Sequence, residues 1–266
     1  MARASNFLDL WNSRGLVFPL ARAQLRDRHS GSALGVLWAL LQPAVLMAVF
    51  WFVFSFGLKV VSPPDEAPFV ALLLVGLAAW FWFNEAVSMG SHAVTGSAYL
   101  VKKVSFPVEL LPLAPLIASL MVHIALLALL LVGLSMSEHW SGSRLFQLPY
   151  YILASATLSC GLVFWLSALH VFHRDVAQIT TLVLQIWFWL TPIVWSYADF
   201  PPEVSALLSW NPMAYVVEGY RWALLGTVSA PPGLDHAVGF WATALSVLAS
   251  GIIFFRRLRS DFADVL

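Results

Sequence analysis

Apolar residues gather into six long runs separated by short polar stretches, at residues 33–58, 69–89, 110–136, 150–171, 176–198 and 237–255. Each run reaches the length of about 20 residues that a helix needs to cross a hydrocarbon core of roughly 30 Å. Only the second run holds a charged residue, Glu85, and that lies near its end. The pattern predicts an all-α membrane protein with six transmembrane helices.

A different period precedes the first run. In "RGLVFPLARAQLRDR", Val17, Leu20, Ala21 and Leu25 share one helical face while Arg14, Arg22 and Arg26 share the other, the pattern of an amphipathic helix lying in the inner membrane interface. The competing reading is a solvated tail with ordinary juxtamembrane charges. Residues 1–32 are therefore taken as an N-terminal cytoplasmic interfacial segment and residues 33–266 as a single transmembrane domain. Ser30 and Ser32 are candidate N-caps for the first span. A lead of about thirty residues, without a short basic region and small-residue cleavage site, marks that span as retained rather than a signal peptide.

The connections are short. "GSHAVTGSAYLVKKVSFP" between the second and third runs has room for a short helix along the membrane face, and "FHRD" at 172–175 makes a tight turn. Residues 199–233 contain "VSALLSW" and "PMAYVVEGYRWALLG", both apolar and both too short to cross. They predict two short helices that dip into the outer leaflet and return before the last span, with Asn211 and Pro212 at the turn. Irregular backbone at that depth is tolerated where protein or a water-filled cavity covers it. Glu218 and Arg221, three apart, can pair on one face. The alternative is a purely interfacial hairpin whose ion pair only stabilises it.

Composition agrees with this layout. Of 266 residues, 60% are hydrophobic and 11% charged, and the mean hydropathy is +0.81, too few charges to cover a water-soluble surface. Net charge is zero, which gives no footing for a nucleic-acid partner. With the N-terminus inside, eleven of the 14 Lys and Arg residues fall on the inner side, leaving Lys59, Arg144 and Arg221 outside. That bias places both termini in the cytoplasm. Glu85 then lies near the inner headgroups, solvated or paired with a lysine.

Candidate chemistry is sparse. His123 and His170 have no recognisable nucleophile beside them, so no catalytic residue is assigned. His170 and His173 are read as capping or loop histidines rather than metal ligands, and the single Cys160 as a packing residue. There is no G-x-x-x-x-G-K-[ST] phosphate loop; if ATP is used, another chain binds it. The fifth run sets Gln178, Thr181, Gln185, Phe188, Pro192 and Trp195 at helical spacings of three and four, a mixed amide and aromatic stripe suited to a glycan. The competing reading has the glutamines bonding neighbouring helices and the tryptophans forming interfacial belts.

Four stretches resemble polysaccharide-exporting ABC transporter permeases, the membrane subunits for capsule, O-antigen and teichoic-acid chains. They are "LRDRHSGSALGVLWALLQPAVLMAVFWFVFSFGL", "VKKVSFPVELLPLAP", "FHRDVAQI" and "WNPMAYVVEGYRWALLG", in the family's order. His29 and Ser30 depart from the pattern of many relatives, as does the Pro231–Pro232 pair, and these blur the subgroup. The resemblance implies a homodimer enclosing a channel, two separate ATP-binding-cassette ATPases that hold ATP and Mg²⁺, periplasmic export partners, and the bacterial inner membrane. It implies coupling contacts at Ser91, His92, Tyr99, Lys102 and Lys103, with Arg26, Arg28, Arg174 and Asp175 as secondary contacts. Channel lining would include Trp38, Gln42, Gln178, Gln185, Phe188 and Trp195, and the outer gate Asn211, Tyr215, Glu218 and Arg221. A small-molecule export permease of the same superfamily, or a channel independent of ATP, is the competing function.

Overall fold

The computed structural model describes residues 14–59, 67–102, 106–136, 140, 142–225 and 231–266. Lys103 lies outside the described residues, as do residues 60–66, 137–139, 141 and 226–230.

The described chain is helical. The helices are α1 (Val17–Arg28), α2 (Leu37–Phe52), α3 (Phe69–Ser91), α4 (Ala98–Val101), α5 (Leu113–Ser135), α6 (Leu148–Phe172), α7 (Val176–Trp189), α8 (Pro202–Ser209), α9 (Pro212–Leu224), α10 (Leu234–Leu258) and α11 (Phe262–Val265). Among the described residues, five segments are long and apolar enough to cross a membrane: Leu37–Gly57, Phe69–Ser91, Val108–Ser135, Gly142–Phe172 and Leu234–Leu258.

The fifth apolar run behaves differently from the others. Its helix stops at Trp189 after 14 residues, a length of about 21 Å. Pro192 is the physical reason: it lacks an N–H and pushes the preceding Thr191 out of helical geometry. The chain turns instead, with Thr191 N–H donating to Phe188 O and Ile193 N–H to Thr191 O. The stripe expected to run from Gln178 to Trp195 on one helix therefore ends at Phe188; Pro192 is buried, and Trp195 folds back to donate its indole N–H to Trp189 O at 2.9 Å.

Helix α1 buries Val17 and Ala21 and leaves Arg22 and Arg26 exposed, as its period demands. It packs on α5. Ser30 and Ser32 do not cap α2. Their hydroxyls donate backward to Asp27 O and His29 O, closing the end of α1, and α2 starts after Val36 without a side-chain cap.

Helix α3 is the centre of the fold, packed against α2, α5, α6, α7 and α9. Helices α6 and α10 pack along their length. Gly161 makes that approach possible, since a Cβ there would lie 2.6 Å from the Leu248 backbone nitrogen. Small residues at crossings serve helix association in lipid, where apolar burial alone supplies little driving force between helices. Helix α2 is the exception, with 6% of its apolar window buried.

Candidate functional site

At one end of the bundle, α9 is locked on three sides. Asn211 caps it, its Oδ1 accepting from Met213 N–H at 3.0 Å, and Pro212 follows at the first helical position. The same amide binds the end of α7: Oδ1 accepts from Trp187 Nε1 at 2.7 Å, while Nδ2 donates to Leu190 O and Thr191 Oγ1, both at 3.0 Å. Every donor and acceptor group of that side chain is thus used to hold α9 against the turn after α7.

Arg221 does the same at the other end of α9. Nη1 pairs with Glu218 Oε1 at 2.8 Å, Nε donates to Leu72 O at 3.1 Å, and Nη2 to Ile193 O at 3.2 Å. The expected pairing of Glu218 with Arg221 exists, and the guanidinium also ties α9 to α3 and to the turn beyond α7. Tyr215 is buried, its ring stacked on Phe240 at 4.8 Å and its hydroxyl 2.8 Å from that of Tyr150. Of the four residues assigned to the outer gate, Glu218 keeps a third of its side chain exposed, whereas Tyr215 and Arg221 are packed inside the chain.

Tyr220 carries α9 inward. Its hydroxyl meets His123 Nε2 at 2.9 Å, near the midpoint of the 23-residue α5. Trp82 stacks on the same imidazole at 4.9 Å. Apolar runs without periodicity give no sign of this contact in the sequence.

The lining candidates divide. Gln178, Thr181 and Gln185 form an exposed row on α7, and Phe188 sits edge-on to Trp80 at 5.7 Å. Trp38 is exposed, and Gln42 borders a cavity between α1, α2, α3 and α5. Trp195 instead packs edge-on to Phe200 at 4.8 Å.

At the opposite end, the stretch that carries the coupling candidates Ser91 to Lys102 shares a small apolar core with α6, α10 and α11. Val94, Leu100 and Val101 pack with Phe164, Val171, Phe255 and Phe262. Ser91 is buried, its carbonyl 2.9 Å from His170 Nδ1, and His92 lies edge-on to His170 at 4.6 Å. Partial burial, and then the neighbouring His170, hold the His92 imidazole below its ordinary pKa of 6.5. Tyr99, Lys102, Arg26, Arg174 and Asp175 are exposed. Glu85 pairs with Arg28, not with a lysine. Glu109, buried, pairs with Arg259, a link between α10 and the start of α5 that the sequence reading missed because 150 residues separate them.

The profile of the ABC-2 type transporter family matches residues 16–225, and the chain belongs to that family. Among curated proteins it is similar to the O-antigen export system permease protein RfbA of Myxococcus xanthus, 28% identical over 259 residues, covering 96% of this chain and 97% of that one. RfbA of Klebsiella pneumoniae is 22% identical over 257 residues, covering 94% and 95%. The polysialic acid transport protein KpsM of Escherichia coli is 22% identical over 226 residues, covering 84% and 87%.

Proposed function

We propose that this chain is the membrane-spanning permease of an ATP-driven exporter that moves a lipid-linked surface polysaccharide, of capsule or O-antigen type, across the bacterial inner membrane. The observation that carries the proposal is similarity over most of the chain to an O-antigen export system permease protein and to a polysialic acid transport protein.

Six spans are proposed, with α7 completed by the non-helical residues that follow it. Helices α8 and α9 form the outer re-entrant pair, and both termini are cytoplasmic. The contact of Tyr220 with the middle of α5 supports re-entry, because a hydroxyl held only at the surface would not reach that depth. Two copies enclose the channel. The sparse cover on α2 and the exposed Gln178–Thr181–Gln185 row of α7 support these helices as the shared faces. Amides and rings along such a path make many individually weak contacts, which lets a sugar polymer slide.

Two separate ATPase chains bind ATP and Mg²⁺ beneath the permeases, and periplasmic partners receive the product. The segment from Ser91 to Lys102 and Lys103, flanked by Arg26, Arg28, Arg174 and Asp175, transmits their movement. The core it shares with α6 and α10 supports that role, since a push on α4 is delivered to two long helices. Helix α9, held by Asn211 and Arg221 to both α3 and α7, moves with them and opens the outer gate beside Glu218.

Purifying the tagged chain in mild detergent tests this. An ATP-binding-cassette ATPase should co-purify in equal number and hydrolyse ATP. Recovery of the chain without any ATPase, under conditions that keep other such complexes together, would favour the channel reading.

A further inference from the structure

The coupling stretch, residues 91–102, contains α4, which is a single turn, Ala98–Val101. One turn has little stiffness of its own, so a push on the exposed Tyr99 and Lys102 reaches the long helices only if something solid lies behind them. Leu100 and Val101 form the back of the turn, and both are buried. Apart from the turn that precedes it, the element α4 packs against most closely is α11, which also packs against α6. The closest route inward from α4 therefore runs through the segment that follows α10.

Phe262 is the solid point of that segment. Its ring is fully buried, in the same core as Leu100 and Val101. It lies edge-on to Phe255 of α10 at 5.2 Å and tilted against Phe172 of α6 at 6.0 Å. The segment is held on both sides of this ring. Arg259 pairs with the buried Glu109, in the turn Val108–Leu110 that leads into α5. Leu266 N–H donates to Phe262 O at 3.1 Å, and the Leu266 side chain packs on the same core. A close-packed interior is hardly compressible, so a block held in this way passes a displacement on rather than absorbing it. Residues 259–266 lie beyond the stretch 16–225 that the family profile matches, and none of them is among the residues assigned to coupling by resemblance.

We propose that residues 259–266 are a transmission element, in which Phe262 is a positioning residue that carries movement of α4 into α6 and α10. This role rests on the reading of residues 91–102 as the stretch that meets the ATPases. Without the Phe262 ring, α4 still docks, but its movement is taken up by the space the ring leaves.

The test uses the chain purified together with its ATPase and compares amide hydrogen exchange with and without a non-hydrolysable ATP analogue and Mg²⁺. In the wild type, the analogue should change exchange at residues 91–102 and also at 164–171 and 251–258, the inner ends of α6 and α10. Phe262→Ala should keep the change at 91–102 and lose it at the other two. Phe262→Leu, which refills most of the space, should restore it, and Leu158→Ala, a comparable cavity in the main core, should leave all three in place. Phe262→Val takes the place of the alanine variant if that variant does not elute as a single complex. In cells, Phe262→Ala should lower surface glycan between about three- and thirty-fold while the purified complex keeps its ATP hydrolysis. Persistence of the change at 164–171 and 251–258 in Phe262→Ala would overturn the proposal, as would its loss at all three places together or a parallel fall in hydrolysis and export. A wild type with no change at 91–102 would instead overturn the coupling assignment, and this role with it.

Discussion

Arg221 Nε donates to the carbonyl oxygen of Leu72 at 3.1 Å, joining residues 149 apart in the chain. The bond fastens α9 to the first turn of α3. With the contacts to Ile193 and Glu218, it makes Arg221 a latch rather than a solvated charge.

Arg221→Met should lower stability by about 2–4 kcal/mol, because it strands two carbonyls and the Glu218 carboxylate. Glu218→Gln should cost less than Arg221→Met, because the amide oxygen still accepts from the guanidinium and the two carbonyls keep their donor. Thermal unfolding in detergent, followed by the loss of the monodisperse elution peak, measures both. Equal effects would assign the guanidinium's role to the ion pair alone.

Gly219 faces the Tyr151 ring so closely that a Cβ would sit 2.0 Å from it. Gly219→Ala should therefore cost about 1–3 kcal/mol. Tyr151→Ala in the same chain should recover part of the loss, a coupling that a double-mutant cycle reads. Gly161→Ala should be worse, since it meets the Leu248 backbone, which cannot swing aside as a ring does.

The buried Glu109 carboxylate pairs with Arg259. Arg259→Met should cost about 3–5 kcal/mol, whereas replacing both residues by apolar ones of similar volume should come near the wild type. A double variant no better than Arg259→Met would show that the guanidinium's other contacts matter more than this pair.

His92 gives a pH dependence with a definite sign. Its folded pKa lies below 6.5, so the unfolded chain binds the proton more tightly. The contribution is complete above pH 6.5 and is lost as pH falls below it toward the folded value. Hydrogen exchange at residues 91–102 should therefore speed up as pH drops from 7 to 5.5 after correction for the intrinsic rate, and His92→Gln should flatten that change.

Much of the helical layout was legible because length and hydropathy are local properties. The buried face of α1, Val17 and Ala21, was legible from its period, and the start of α9 from Asn211 and Pro212. Pro192 carried a local signal too, but the three-and-four spacing of polar and aromatic residues ran across it and hid the end of α7. Links such as Arg221 to Leu72, His123 to Tyr220 and Glu109 to Arg259 were not legible. Each depends on how uniformly apolar helices face one another, and hydropathy carries no phase in such helices. Ser30 and Ser32 show the remaining ambiguity: a serine between two helices can close the first or cap the second, and here both close the first.

The most direct test of polysaccharide export is the location of the long-chain glycan in cells lacking this gene. Accumulation inside with loss from the surface is expected, restored by the wild-type gene and only weakly by a variant with Gln178, Gln185 and Phe188 all changed to alanine. Unchanged surface glycan in the deletion strain would contradict export of a surface polysaccharide and leave a small-molecule permease in its place.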